Sequence, residues 1–268
     1  MINILYLLIV VVIYLYLICP KLIHDKNLKS YLNIYYAHRG LHDNERNNVE
    51  NTLSAFKNAM DLNYGIEFDV RLTKDKIPVI IHDDNLNRVA GIDININEII
   101  YEELTKINLL NSTEHIPSLE EVLELVDSKV PLIIEIKKEN TQDMDDLNQI
   151  ANLLDKYNGK FMIESFNPYV LKWMKNNRPQ YIRGQLSSNL IKERGFSLQN
   201  FILTYLLLNF VSKPDFIAYD YRFSSNLSLN IVKFIYRSYC VGYTIKSRED
   251  FIKYNKYFDT IIFESFLP

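Results

Sequence analysis

The stretch GIEFDVRLTKDKIPVIIHDD, residues 65–84, decides the fold of this 268-residue chain. It contains two apolar runs, 66–70 and 77–81, whose length and composition are typical of buried strands. Only a short polar link around residues 73–76 joins them, whereas a parallel crossover needs roughly a dozen residues or more. The two runs are therefore predicted to form an antiparallel hairpin.

Outward from this hairpin, short apolar runs alternate with longer amphipathic segments, which is the pattern of repeated β-α-β units. Further candidate strands are 34–37, 132–136, 161–164, 182–186, 216–219, 241–245 and 260–263. With the second hairpin strand set aside, eight strands remain for a closed wall, so the sequence predicts an α/β fold of the TIM (β/α)8 type. An open doubly wound sheet is the alternative architecture, but no glycine-rich first turn supports it.

Ionisable side chains collect at the carboxyl ends of the predicted strands. In chain order they are His38, Arg39, Glu67, Asp69, His82, Glu135 and Lys137. This end of the strands is the active face of a β/α barrel, so these groups are expected to meet at one mouth. Glu67 and Asp69 are two residues apart on one strand, and their side chains are expected to point the same way. The same holds for Glu135 and Lys137.

Three of these side chains are candidate metal ligands. The carboxylates of Glu67, Asp69 and Glu135 would repel one another and raise one another's pKa if nothing neutralised them. A metal or a basic partner is therefore expected beside them. Oxygen ligands without a cysteine favour a hard cation, Ca²⁺ or Mg²⁺. The alternative is that Glu67 and Asp69 merely face solvent from an edge strand.

The two histidines and two cations suit chemistry on a phosphate. His38 and His82 each follow an apolar run and would stand at the barrel mouth rather than in its packed layers. A lone histidine there is more often structural, but a pair near a metal fits general acid and base work near neutral pH. Arg39 offers a planar fork for phosphate oxygens, and Lys137 offers a point charge.

Longer motifs occur in a specific order along the chain. They are HRG at 38–40, ENTLSAF at 50–56, GIEFDV at 65–70, TKD at 73–75, VIIHD at 79–83, Arg88, IPSLEEVL at 116–123, IEIK at 134–137 and SF at 165–166. Their order and spacing resemble the signature of glycerophosphodiester phosphodiesterases over nearly everything that follows the N-terminal run. The resemblance implies a TIM barrel that hydrolyses glycerophosphodiesters to an alcohol and glycerol 3-phosphate in lipid and glycerol metabolism.

The resemblance also implies a role for each site residue. It assigns acid–base catalysis to His38 and His82, the metal to Glu67, Asp69 and Glu135, and the substrate phosphate to Arg39 and Lys137. A short insertion, 91–114, would follow the His-Asp motif. Two stretches depart from the family pattern: GYTI at 242–245, where a Trp-Thr-containing strand is usual, and IFESFLP at 262–268, where Thr-Asp is usual. Tyr243 is accordingly predicted to form an aromatic wall for the glycerol.

Two further functions stay open as alternatives. One is a lysophospholipase D that acts on membrane lysophospholipids, and the other is a membrane-anchored lipid-binding protein without catalysis. The apolar stretch 196–211 is expected either to pack on the barrel as a helix or to dip into a membrane. The net charge of −3 argues against a general nucleic-acid binder, and two cysteines are too few for a disulfide framework. No protein partner is predicted.

The N-terminal run is predicted to be a membrane anchor. Residues 2–19 are apolar or tyrosine except for one asparagine, and as a helix they would extend roughly 27 Å, enough for a bilayer core. This divides the chain into a single-pass transmembrane anchor at 1–20, a juxtamembrane connector at 21–33 and the barrel domain at 34–268. Lysines in the connector would place the domain on the cytoplasmic side. A cleaved signal and a buried helix are the alternatives.

Overall fold

A closed barrel of eight parallel strands forms the centre of the structure, a computed structural model that describes residues 2–23, 28–44, 48–110 and 112–268. The strands are β1 Tyr36–His38, β2 Gly65–Leu72, β3 Pro78–Ile80, β4 Leu132–Ile136, β5 Phe161–Ser165, β6 Arg183–Ser187, β7 Phe216–Asp220, β8 Tyr239–Ile245 and β9 Thr260–Phe263. Their order is β1-β9-β8-β7-β6-β5-β4-β2-β3, and a parallel pairing of β1 with β2 closes the wall. The predicted TIM-like barrel is confirmed.

The hairpin is also confirmed, since β3 pairs antiparallel with β2 and lies outside the wall. In its turn, Thr73 Oγ1 donates a hydrogen bond to Asp75 Oδ1 at 2.6 Å. Beyond β3, the Ile81 amide donates to the carbonyl of Asp69 at 3.0 Å, which carries the chain back to the barrel mouth. The hairpin therefore delivers His82 to the mouth although β3 is not a wall strand.

Helices follow most strands and cover the barrel. They are α1 Ile2–Ile18, α2 Lys29–Leu32, α3 Leu53–Asp61, α4 Asn87–Ala90, α5 Tyr101–Leu104, α6 Leu119–Val126, α7 Leu147–Leu154, α8 Pro168–Asn177, α9 Leu190–Arg194, α10 Leu198–Thr204, α11 Asn209–Ser212, α12 Leu227–Phe234 and α13 Arg248–Tyr254. Local sequence explains their starts: Thr52 caps α3, and Ser118 forms a capping box with Glu121 at α6. Asn167 caps α8, with Pro168 at its first position.

Large apolar side chains close the amino-terminal end of the barrel. Tyr36, Ile133, Met162 and Phe216 are buried there in one cluster. Two glycines make room for the rings: a Cβ on Gly65 would lie 2.5 Å from the Tyr36 ring, and one on Gly184 would lie 2.2 Å from the Phe216 ring. Charged residues further along the same strands therefore lie above an apolar floor.

A satellite cluster packs on the outside of the hairpin. The short segment 91–114 contributes Ile96, Ile99, Leu104 and Leu109, which pack against Val79 and its neighbours. The segment thus braces the hairpin that carries His82.

The predicted membrane anchor is wrong. Among the residues that the structure describes, no helix combines the length and apolarity needed to cross a bilayer. Helix α1 has 17 residues and stops at Ile18 because Pro20 disfavours a helical Cys19. Its last turns lie against the barrel domain: Ile18 is fully buried, and its carbonyl accepts a hydrogen bond from Asn209 Nδ2 at 3.1 Å. The predictions of a single-pass membrane localisation and of a cytoplasmic domain depended on this anchor, and they are therefore wrong as well.

The predicted connector at 21–33 lies partly outside the described residues, at 24–27. Its described end packs under the barrel floor, where Leu28 and Leu32 are buried. The Tyr36 hydroxyl donates to the Tyr31 carbonyl at 2.6 Å and links this segment to β1.

Candidate active site

Three carboxylates converge at the carboxyl end of neighbouring strands. Glu67 and Asp69 point inward from β2 and Glu135 from β4, and all three are buried. The register pairs Asp69 with Glu135, so the two strands present them side by side. One oxygen from each lies within 4.8 Å of the others. This all-oxygen donor set fits a divalent metal ion of the hard class.

Lys137 and Arg39 neutralise part of this negative charge. Lys137 Nζ lies 2.8 Å from Glu135 Oε1 and 3.1 Å from Asp69 Oδ1. Arg39 Nε lies 3.4 Å from Asp69 Oδ2. Burial opposes ionisation of Asp69, but these two cations hold its pKa well below the usual value.

The other two carboxylates are less well compensated. Burial, followed by repulsion from Asp69, raises the pKa of Glu67 well above its ordinary value. Burial also raises the pKa of Glu135 to about 7, although Lys137 pulls in the opposite direction. The cluster therefore has a surplus of negative charge that a cation would relieve.

His38 is held by a carboxylate from the far end of the chain. Its Nδ1 lies 2.6 Å from Glu264 Oε2, and Lys246 Nζ holds the other oxygen of Glu264 at 2.7 Å. Burial lowers the pKa of His38 to about 4, so the ring is neutral at pH 7. With Glu264 as the acceptor, the proton lies on Nδ1 and the lone pair is on Nε2, which faces Glu67 at 3.9 Å.

His82 has the same arrangement on the other side of the mouth. Its Nδ1 lies 2.6 Å from Asp83 Oδ1, and Arg88 Nε donates to Asp83 Oδ2 at 2.6 Å. Burial lowers the pKa of His82 as well. Both histidines thus have Nδ1 engaged by a carboxylate, and the second ring nitrogen of each is available for proton transfer.

A tight turn explains the position of Arg39. Its φ is +55°, and Gly40 follows at +79°, where an added Cβ would meet Ala55 at 2.8 Å. The turn directs the Arg39 amide to Glu67 Oε2 at 3.1 Å. The Arg39 side chain donates from Nη1 to Glu50 Oε1 at 2.7 Å. The guanidinium is therefore fixed at the edge of the carboxylate cluster.

Tyr243 lies on the opposite wall of the mouth. Its hydroxyl donates to the Ser187 carbonyl at 2.7 Å, and its ring meets Phe166 edge-on with centroids 6.4 Å apart. Together with Asp220 and Arg222 it lines a recess of about 450 Å³. The ring is thus at the mouth, but it lines a different recess from the Glu67, Asp69 and Glu135 cluster.

Sequence reasoning missed three acidic residues of the site. Glu264 and Asp83 orient the histidines, and Glu164 points inward from β5 beside Glu135 in the register. Glu164 is 1% exposed, and within the described residues its Oε2 has no hydrogen-bond partner. A signal existed for Glu164, because an acid interrupts the apolar strand FMIES. For Glu264, the signal was an acid directly after the last strand.

Comparisons with known proteins show which family this chain is similar to. The sequence model of the Glycerophosphoryl diester phosphodiesterase family matches residues 38–220. A glycerophosphodiester phosphodiesterase of Caldanaerobacter subterraneus subsp. tengcongensis is 36% identical over 160 residues, which are 56% of this chain and 65% of that protein. Human Lysophospholipase D GDPD1 is 30% identical over 152 residues, 52% of this chain and 46% of that protein. The chain therefore spans just under two thirds of the first relative and about half of the second.

Solved structures share the fold. A phosphodiesterase of Oleispira antarctica in complex with the product sn-glycerol-3-phosphate has a TM-score of 0.70 at 24% identity, covering 87% of this chain and 94% of that one. A glycerophosphoryl diester phosphodiesterase structure from Silicibacter pomeroyi has a TM-score of 0.70 at 18% identity, covering 87% and 92%. At these identities the likeness concerns the fold alone.

Proposed function

The chain belongs to the glycerophosphoryl diester phosphodiesterase family, and from that premise we propose that it is a metal-dependent phosphodiester hydrolase. It would cleave glycerophosphodiesters to an alcohol and glycerol 3-phosphate, with 34–268 as the catalytic unit. One observation carries the proposal. A three-carboxylate cluster and two histidines, each held by a carboxylate through Nδ1, meet at one barrel mouth.

Glu67, Asp69 and Glu135 are the proposed metal ligands, and Ca²⁺ or Mg²⁺ is the proposed cation. The surplus negative charge of the cluster and its oxygen donors support this choice. When bound, the cation supplies positive charge that offsets the charge developing on the phosphate.

Lys137 and Arg39 are the proposed phosphate-binding residues. Lys137 Nζ is held between Asp69 and Glu135, so its point charge lies at the ligand cluster. The fixed guanidinium of Arg39 supplies donors from the opposite side. Together they would orient a phosphodiester between the two histidines.

His38 and His82 are the proposed proton carriers. One removes a proton from the attacking group, which is water or the neighbouring glycerol hydroxyl, and the other protonates the departing alcohol. If the glycerol hydroxyl attacks, a cyclic phosphate forms and water then opens it with the histidines exchanging roles. Either route consumes one water for each substrate molecule hydrolysed. Tyr243 is proposed as a wall for the glycerol.

Turnover of defined substrates tests this function. The purified full chain is incubated with glycerophosphocholine or glycerophosphoethanolamine in Ca²⁺, Mg²⁺ or EDTA, and release of glycerol 3-phosphate is measured. We expect turnover with a divalent cation and none with EDTA. His38→Ala should lower kcat by at least about 100-fold, since a positioned proton carrier contributes roughly 10²–10⁴-fold.

The matched control is His115→Ala. His115 is half-exposed and lies beside Glu121 on α6, away from the mouth. Its replacement should leave turnover unchanged. Wild-type activity in His38→Ala, or equal losses in the two variants, would remove His38 from the mechanism.

A further inference from the structure

Two charged residues that the proposed chemistry does not use lie between Arg39 and His82. Glu50, the first residue of the ENTLSAF motif, is 6% exposed, and Arg88 projects from α4 with its side chain about half exposed. They form a bidentate pair: Arg88 Nη2 lies 2.7 Å from Glu50 Oε1, and Arg88 Nη1 lies 3.0 Å from Glu50 Oε2. Two parallel contacts of this kind fix the relative geometry of both groups.

Each member of this pair also contacts one element of the proposed site. Glu50 Oε1 accepts a hydrogen bond from Arg39 Nη1 at 2.7 Å. Arg88 Nε donates to Asp83 Oδ2 at 2.6 Å, and the other oxygen of Asp83 engages His82 Nδ1 at 2.6 Å. A continuous chain of contacts therefore joins the proposed phosphate-binding guanidinium to one of the two proposed proton carriers.

The surroundings of Glu50 favour its charged form. Burial alone would raise the pKa of Glu50, but the hydrogen bonds from Arg88 and the charge of Arg39 hold it well below the ordinary value. Asn44 adds two contacts: its Nδ2 donates to Glu50 Oε2 at 2.9 Å, and its Oδ1 accepts from the Glu50 amide at 2.9 Å. The carboxylate is thus fixed and negative between two guanidinium groups.

The backbone that carries Arg88 is also well supported. The next residue of α4, Val89, is buried in the satellite cluster on the outside of the hairpin. The Val89 carbonyl accepts a hydrogen bond from the Leu110 amide at 2.7 Å, which ties α4 to the segment 91–114. The satellite cluster therefore supports Arg88 as well as the hairpin that carries His82.

We propose that Glu50 and Arg88 act as one positioning bridge, which orients Arg39 for the substrate phosphate and His82 for proton transfer at the same time. The proposal rests on the proposed function, because that function assigns the chemistry at both ends of the bridge. In this role neither residue reacts with the substrate. A change at Glu50 should therefore impair proton transfer by His82, and a change at Arg88 should impair phosphate binding by Arg39.

A double-mutant cycle with glycerophosphocholine tests the bridge. Arg88→Gln should lower kcat about 5- to 30-fold, the range for a hydrogen bond of a half-exposed charged pair, because Asp83 loses the donor that fixes it. Glu50→Gln should lower kcat by a similar factor, because Arg88 then loses its charged partner. The two losses should not multiply, so the kcat of the double variant should lie within about twofold of that of Arg88→Gln.

Two further variants separate positioning from charge and from stability. Arg88→Lys keeps the positive charge but cannot hold Glu50 and Asp83 with one fork, so its kcat should stay as low as that of Arg88→Gln. Arg178→Gln is the matched control between the ends of α7 and α8, where Arg178 Nε lies 2.6 Å from Asp155 Oδ2. It should leave kcat and KM unchanged.

Three kinetic results would overturn the proposal. They are a wild-type kcat in Glu50→Gln, losses that multiply in the double variant, and full recovery of kcat in Arg88→Lys. Circular dichroism melts accompany the rates, because a pair that only stabilises the fold would lower Tm and leave kcat intact below the transition.

Binding of inorganic phosphate separates failure of the bridge from failure of the proposed function. Phosphate is titrated into the full chain in Mg²⁺ by calorimetry, which needs no turnover. Arg88→Gln should raise the Kd about two- to fivefold, because Glu50 is then left to pair with Arg39 alone and draws it away from phosphate. Arg178→Gln should leave the Kd unchanged.

The two measurements together decide between the outcomes. If no phosphodiester is hydrolysed but the Kd for phosphate rises in Arg88→Gln alone, the proposed function fails and the link from Arg88 to Arg39 stands. If glycerophosphocholine is hydrolysed and neither kcat nor Kd responds to Arg88→Gln, the function stands and the bridge is refuted. A wild-type protein that binds no phosphate would refute the Arg39 end of the bridge.

Discussion

The carboxylate behind His38 offers the sharpest test of the proposed acid–base chemistry. Glu264→Gln keeps the size and an acceptor oxygen but removes the charge at the 2.6 Å contact with His38 Nδ1. A hydrogen bond to a charged group contributes about 1.5–3 kcal/mol. The charge of Glu264 stabilises the protonated ring that His38 forms in the transition state. Loss of this contribution should lower the kcat of Glu264→Gln about 10- to 150-fold.

The same change should leave a signature in the pH profile. Glu264 raises the pKa of His38 against the larger lowering by burial. Without this charge the pKa of His38 falls further, so the acidic limb of kcat/KM should move to lower pH. KM should change little, because Glu264 contacts His38 and Lys246 rather than the proposed phosphate position.

The assay is a pH series of initial rates for wild type, Glu264→Gln and the exposed control Glu249→Gln on α13. Circular dichroism melts confirm that all three proteins are folded. The reasoning is refuted if Glu264→Gln keeps its kcat and its acidic limb coincides with that of Glu249→Gln. A rise in KM with unchanged kcat would assign Glu264 to substrate binding instead of to positioning of His38.

Three further predictions concern the metal cluster and the barrel interior. Glu67→Gln should abolish the heat of Ca²⁺ or Mg²⁺ binding in calorimetry, whereas Glu120→Gln on the outer face of α6 should not; retained binding would exclude Glu67 as a ligand. Glu164→Gln should raise the free energy of unfolding in EDTA by about 1–3 kcal/mol, because it removes a buried carboxyl that has no partner for Oε2 among the described residues. Burial raises the pKa of Glu164 well above its ordinary value, so the folded state holds a proton that the unfolded state releases, and the gain should be larger at pH 8 than at pH 5 in urea titrations; an equal gain would contradict this. Gly184→Ala should cost about 1–3 kcal/mol, since its Cβ would lie 2.2 Å from the Phe216 ring, and an unchanged Tm would show that the ring can move aside.

Local patterns were sufficient to predict the barrel. All nine predicted strands have counterparts within a few residues in the structure, and the hairpin is antiparallel because its link is too short for a crossover. The grouping of Glu67, Asp69 and Glu135 was predicted from their positions at the carboxyl ends of two strands. Strand alternation and a common carboxyl edge fix where such side chains point, whatever the details of packing.

The predicted N-terminal membrane anchor was wrong because hydropathy does not show whether an apolar helix packs against lipid or against protein. The apolar run has nearly the length of a span, but Pro20 ends its helix, and the last turn packs against α11 and α12 through Ile18 and Tyr14. Apolar side chains are equally suited to lipid and to a protein surface. Only the packing partner distinguishes the two.

Residue order and composition were thus enough for the strands, their direction and the carboxylate cluster, since each depends on spacing along one or two neighbouring strands. Tertiary structure alone decided the partner of His38, because Glu264 lies 226 residues away and reaches it only when β9 closes the barrel against β1. It also decided that Leu198 and Ile202 line a groove beside His82. Contacts across a closed barrel depend on how the whole chain folds, and short sequence patterns do not predict contacts between residues that are far apart in the chain.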